Sequence, residues 1–109
     1  MLNIAVIGLG WWGRILVGLA ARSDKLRVVR VADVNPQAQS FAQERELPFS
    51  TSFEEVLADP KVQGVVLCTP HSQHTGQIVA AARAGKHVFC EKPLSMTRAD
   101  VLRAVAAVE

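Results

Sequence analysis

The sequence predicts an α/β fold in which a doubly wound parallel sheet of about five strands carries helices on both faces. Three observations lead there. Short β-branched runs alternate with amphipathic segments along the chain, the pattern of strands joined by crossover helices. The first run, Ile4-Ala5-Val6-Ile7, breaks into Gly8-Leu9-Gly10-Trp11-Trp12-Gly13, a glycine turn spaced to join a strand to a helix. A later run, Gly64-Val65-Val66-Leu67-Cys68, is apolar throughout, as a strand buried on both faces is.

In order, the first strand covers about Asn3 to Gly8. A helix from about Trp12 to Arg22 follows, with Ile15, Leu16 and Leu19 as its inward stripe. Ser23-Asp24-Lys25 turns the chain, and Val28, Val29, Val31 and Ala32 form a second strand that ends at Asp33. Asn35-Pro36 starts the next helix, because asparagine caps open N–H groups and proline at the first helical position loses no hydrogen bond. That helix carries Ala38, Phe41 and Ala42 and stops before Pro48; Phe49 marks a short third strand. Ser52 and Glu55 have capping-box spacing, so a short helix runs from Phe53 to Ala58 and ends at Asp59-Pro60. The fourth strand is the apolar run at Gly64. Thr69-Pro70-His71-Ser72 forms the loop after it, and a helix from about Gln73 to Ala84 ends on Gly85, a left-handed C-cap. His87 to Cys90 is the fifth strand, in which His87 is expected to pack. Glu91-Lys92-Pro93 leaves it, and Thr97 caps a last helix with Val101, Leu102, Val105 and Val108 on one side. A fold of this type usually adds a sixth strand, which would come next, so the 109 residues read as one nucleotide-binding domain, 1–109, cropped before a second domain.

Composition sets bounds on function. Half the residues are hydrophobic, a fifth are charged and the net charge is +2 from scattered residues, which is ordinary for a globular domain and offers no basic run for nucleic acid or a membrane surface. No stretch of eighteen apolar residues is present, and Met1-Leu2-Asn3 has no positive n-region. Cysteine, histidine and acidic residues show no metal-ligand spacing. Cys68 and Cys90 are expected to stay thiols at the ends of neighbouring strands in a sheet of order 3-2-1-4-5, and the cytoplasm is the expected compartment.

The glycines carry the first functional reading. Gly8 allows a sharp turn, Gly10 lets a pyrophosphate approach the backbone, and Gly13 brings helix and strand together. The helix then offers N–H groups and the positive end of its dipole to phosphates. Asp33 ends the second strand twenty residues after Gly13, the place of a carboxylate that accepts from an adenosine ribose. Such a carboxylate repels a 2′-phosphate, so NAD is expected over NADP. In an open parallel sheet the ligand lies beyond the carboxyl ends of the strands. That edge collects the glycine loop, Asp33, Thr69-Pro70-His71 and Glu91-Lys92-Pro93. Trp11 is expected to contribute its backbone N–H, and Trp12 to pack on the loop or against a second domain.

Gly8-Leu9-Gly10-Trp11-Trp12-Gly13, Asp33, Thr69-Pro70 with His74 four residues on, and above all the run from Gly85 to Pro93 resemble the Gfo/Idh/MocA oxidoreductases. The resemblance spans the chain. It implies a Rossmann-type domain of an NAD(P)-dependent dehydrogenase acting on a small-molecule sugar, cyclitol or related carbonyl–alcohol pair. It places Lys92 at the reacting hydroxyl and the nicotinamide as the acid–base residue, Glu91 near the nicotinamide ribose, and Thr69, Pro70, His71 and His74 around the nicotinamide end. Members often carry asparagine where this chain has His71. The resemblance further implies an aspartate and a histidine in a second domain, a homo-oligomer at full length, and inactivity of these 109 residues alone. A different class, a non-catalytic dinucleotide-binding module such as a redox-sensing regulator, shares the fold. Lys92 favours the enzyme, and no helix-turn-helix or basic patch favours the sensor.

Overall fold

The computed structural model describes residues 1–90, and the expected last helix, Glu91 and Lys92 lie outside the described residues. Five strands form one parallel sheet: β1 (Leu2–Ile7), β2 (Leu26–Ala32), β3 (Phe49–Ser50), β4 (Gly64–Leu67) and β5 (His87–Cys90), in the order β3-β2-β1-β4-β5. Four helices connect them: α1 (Trp11–Ala21), α2 (Gln39–Glu44), α3 (Phe53–Ala58) and α4 (His74–Arg83). The chain winds outward from β1 to β3 and then returns to the middle. It winds the other way from β4 to β5, so β1 and β4 flank the switch point.

Each face of the sheet has its own core. Val6, Leu9, Val17, Val31, Phe41 and Ala42 pack under α1 and α2. Ala5, Ile7, Ala32, Val56, Leu67, Ile78 and Ala81 pack under α3 and α4. Neighbouring strand residues alternate between the two cores, as the pleat requires. The same alternation separates the cysteines. Cys90 pairs in register with Leu67, not Cys68, so Cys68 packs on the α1 side and Cys90 on the α4 side. Both remain thiols, held apart by the sheet itself.

Several details differ from the sequence reading. The buried stripe of α1 is Gly13, Val17 and Ala20; Ile15 and Leu16 are half-buried and Leu19 is 53% exposed. The close approach at Gly13 rotates α1 so that its small residues face the sheet. The second helix divides into a 3-10 turn, Pro36–Ala38, and α2. The Asn35 cap forms as expected, its Oδ1 accepting from Gln37 N at 3.0 Å. Ser52 Oγ accepts from Glu55 N at 3.4 Å, but its hydroxyl donates to Glu54, not to Glu55. At the end of α4, Gly85 has φ +76°, with Gly85 N donating to Ala82 O and Lys86 N to Ala81 O, the paired bonds of a Schellman cap. His87 and Phe89 are exposed, because β5 ends the described sheet and α4 covers only its other side, where Val88 and Cys90 pack. Among the described residues no helix is long and apolar enough to cross a membrane.

A register shift between Ile4 and Ala5 bulges β2 at Val29, and it lets Val29 and Arg30 serve the same face. Arg30 Nε meets Asp59 Oδ2 at 3.1 Å and its guanidinium donates to Ser50 Oγ at 2.6 Å, tying β2 to β3 and to the turn before β4. The Lys61 N–H that donates to Asp59 Oδ1 holds this carboxyl below its ordinary value; partial burial opposes the shift, and the Arg30 guanidinium adds to it. A lowered native pKa stabilises the fold above the unfolded carboxyl's pKa and ceases to do so as pH falls through the native one. Asp59→Asn is therefore expected to lower the unfolding free energy by roughly 1 kcal/mol at pH 7. The gap to the parent should close as pH falls through the lowered native pKa of Asp59. Urea unfolding of both proteins across that range checks it, and a gap independent of pH would contradict the assignment.

Candidate nucleotide-binding site

The carboxyl ends of β1, β2 and β4 open onto one cleft of about 620 Å³, lined by Gly8, Gly10, Asp33, Thr69 and Pro70 among others. The chain reverses after β1 at Gly8, whose φ is +96°. A Cβ there would lie 2.7 Å from the Cys68 carbonyl oxygen, so the position requires glycine on both counts. Gly8 N donates to Ala32 O at 2.8 Å and Cys68 N to Ile7 O at 2.7 Å, which seats the turn between β2 and β4. The first turn of α1 then packs on the loop: a Cβ on Gly13 would stand 1.8 Å from Gly8 O. Gly10 is the N-cap of α1, and a Cβ there would meet nothing within 4 Å, because that side faces the open cleft. No acidic residue occupies the first turn of α1, so the helix itself carries no charge against its positive end, and an anion fits there.

Asp33 directly follows β2. Its Oδ2 accepts from Leu9 N at 2.7 Å and its Oδ1 from Asn35 N at 2.8 Å. Leu9 O accepts from Arg14 Nε at 2.8 Å, and the Arg14 guanidinium lies 4.9 Å from the Phe41 ring centroid. The glycine loop is thus held at Leu9 on both of the peptide groups that flank it, by charged side chains.

Beyond β4, Thr69 and Pro70 border the cleft. The Thr69 hydroxyl donates to the Gln77 amide oxygen in a short hydrogen bond, and Gln73 N donates to Pro70 O at 2.9 Å. His71 opens the 3-10 turn His71–Gln73. His74 does not line the cleft as expected. It is fully buried, with Nε2 2.8 Å from Thr69 O. A carbonyl only accepts, so Nε2 carries the proton. The first residue of α4 is directed back under its own preceding loop, where the ring supports the Thr69 peptide instead of reaching a ligand.

Trp11 is 78% and Trp12 38% exposed, with ring centroids 6.1 Å apart. Both stand at the start of α1, with their rings tilted by 34°. The cleft also takes in Val34, Thr51, Phe53, Gln73 and Gln77, which sequence reasoning missed. The short third strand ends at this edge as well. With β3 beside β2, the residues after it, Thr51 and Phe53, necessarily flank Asp33.

Known proteins resemble this chain in sequence and fold. Myo-inositol 2-dehydrogenase from Thermotoga maritima is 35% identical over 107 residues, 95% of this chain and 32% of that protein. The WlbA dehydrogenase from Bordetella pertussis, solved with NADH and UDP-GlcNAcA, superposes with a TM-score of 0.91 at 29% identity, over 97% of this chain and 33% of that one. An oxidoreductase from Desulfitobacterium hafniense described as NADPH-dependent gives 0.92 at 27% identity, over 98% and 31%. The chain spans about a third of the length of the relatives it matches. The family model for oxidoreductases with an NAD-binding Rossmann fold matches residues 2–109, and the chain belongs to that family, Gfo/Idh/MocA.

Proposed function

We propose that this chain is the nucleotide-binding part of an NAD-dependent oxidoreductase that moves a hydride between the cofactor and a sugar, cyclitol or related alcohol. The observation that carries the reading is the convergence at the switch point. The glycine loop, the N-terminus of α1, Asp33 and the Thr69-Pro70 turn border one cleft although they lie far apart in sequence. In this reading the open side of Gly10 and the α1 N–H groups take the pyrophosphate. The lone pairs of Asp33 that backbone does not use accept from the adenosine ribose. Val34, Thr51 and Phe53 flank the adenine. Thr69 and Pro70 border the nicotinamide end, with His71 following them and His74 acting from beneath. NAD, when bound, supplies the hydride acceptor. Glu91 is assigned to the nicotinamide ribose and Lys92 to proton transfer in this proposal, and the remaining substrate groups and the homo-oligomer contacts are assigned to a second domain. A reducing, cytoplasmic setting suits two cysteines that remain thiols.

NADH is expected to bind at least about tenfold more tightly than NADPH, since a carboxylate at Asp33 faces the site a 2′-phosphate would take. Energy transfer from Trp11 and Trp12 to the dihydronicotinamide reads both titrations. Equal affinities would refute the specificity, and binding of neither nucleotide would refute the reading as a whole.

A further inference from the structure

We infer that Asp33 is a positioning residue for the glycine loop as well as an acceptor for ribose, so cofactor preference and loop order depend on one carboxylate. The inference rests on the nucleotide-binding reading above and deepens it. Each carboxylate oxygen holds a backbone N–H: Oδ2 that of Leu9, 24 positions away, and Oδ1 that of Asn35. Together these fix the rotation of the carboxylate. Each oxygen keeps further lone-pair capacity, and that capacity is presented to the cleft in a set direction.

The Leu9 peptide has little freedom of its own. Its side chain is 2% exposed and sits in the core under α1. Its carbonyl is taken by Arg14 Nε. The glycines on both sides would otherwise allow this backbone many alternative shapes. A charge-assisted bond from Asp33 selects one of them. Removing the carboxylate leaves the Leu9 N–H without its acceptor and releases the loop whose amides would meet the pyrophosphate.

The consequence concerns specificity. Replacing the acid after β2 by a small neutral residue removes the charge that opposes a 2′-phosphate. Here the same change also loosens the phosphate loop, so NADPH does not gain what NADH loses.

Backbone amide exchange in the ligand-free 109-residue chain, followed by NMR, tests this together with NADH and NADPH titrations of the parent, Asp33→Asn and Asp33→Ala. In Asp33→Ala the Leu9 and Asn35 amides are expected to exchange roughly tenfold or more faster, the scale of a lost hydrogen bond to a charged group, while Val6 in β1 is unchanged. Affinity for both nucleotides falls. Asp33→Asn keeps one oxygen and turns an NH₂ toward the other amide, so only one of the two amides speeds up; it decides the matter should the alanine variant not fold. Unchanged Leu9 and Asn35 exchange in both variants, or a rise in NADPH affinity in either, would overturn the inference. Loss of protection in a chain whose parent binds neither nucleotide would uphold the loop tie and refute the nucleotide-binding reading instead.

Discussion

Gly13→Ala is expected to lower the melting temperature by more than about 10 °C and to remove measurable NADH binding. The added Cβ would stand 1.8 Å from the Gly8 carbonyl oxygen and 3.0 Å from its carbon. Both atoms are backbone, so no rotamer relieves the contact. Either α1 moves outward by more than an ångström or the Gly8 turn opens. Moving α1 unpacks Val17 and Ala20 from the sheet, and opening the turn breaks the bonds from Gly8 N to Ala32 O and from Cys68 N to Ile7 O. Overpacking costs roughly 1–3 kcal/mol, occasionally more; a backbone clash this close belongs at the upper end, which at roughly 4–8 °C per kcal/mol corresponds to the stated shift. Gly18→Ala is the matched control. It lies in the same helix, where a Cβ meets nothing within 4 Å, and alanine is the better helix former by up to about 1 kcal/mol. Thermal unfolding of the three proteins, with NADH titration, checks the pair. A Gly13→Ala protein melting within a degree or two of the parent would show that the helix does not pack on the loop.

Lys92→Ala is expected to reduce turnover by about 10²-fold or more, the usual scale for a general acid–base group, with NADH affinity within about threefold of the parent. Lys92 lies outside the described residues. What motivates the prediction is the strand before it. Cys90 ends β5 in register with Leu67 of β4, so the chain leaves β5 at the same edge of the sheet at which Thr69 and Pro70 border the cleft. Lysine can serve in proton transfer when its surroundings depress its pKa. The assay uses the full-length protein with a cyclitol or sugar alcohol and NAD under saturating conditions. An unaltered kcat would remove Lys92 from the chemistry. A fall in NADH affinity with kcat intact would assign it to cofactor binding instead.

Much of the fold was legible because its signals are local. β-Branched runs, the Asn35-Pro36 start, the Ser52 cap and Gly85 each act within a few residues, and, α2 apart, the described strands and helices lie within a residue or two of their expected bounds. Strand order followed from a topological rule that does not depend on side-chain detail. The site was legible to the extent that it is backbone: glycines whose lack of a Cβ is required, and an acid whose distance along the chain is fixed by one βαβ unit.

What the sequence by itself determined, then, is the alternation of elements, the winding of the sheet and the edge at which its polar residues gather, since periodicity and turn chemistry are read within a few residues. Only the tertiary structure decided which face each side chain takes. Helical spacing alone offered Ile15, Leu16 and Leu19 as the buried stripe of α1, but the contact at Gly13 sets the rotation of the helix and buries Val17 and Ala20. His74 carries a ring that could serve a ligand or a loop, and its full burial against Thr69 O decides for the loop. Asp33 looked like an acceptor for a ligand alone until the fold brought Leu9 N within 2.7 Å of it. Thr51 and Phe53 joined the cleft only because β3 lies beside β2. In each case the deciding contact joins segments distant in sequence or depends on packing, and a pattern of neighbours along the chain carries no record of such distances.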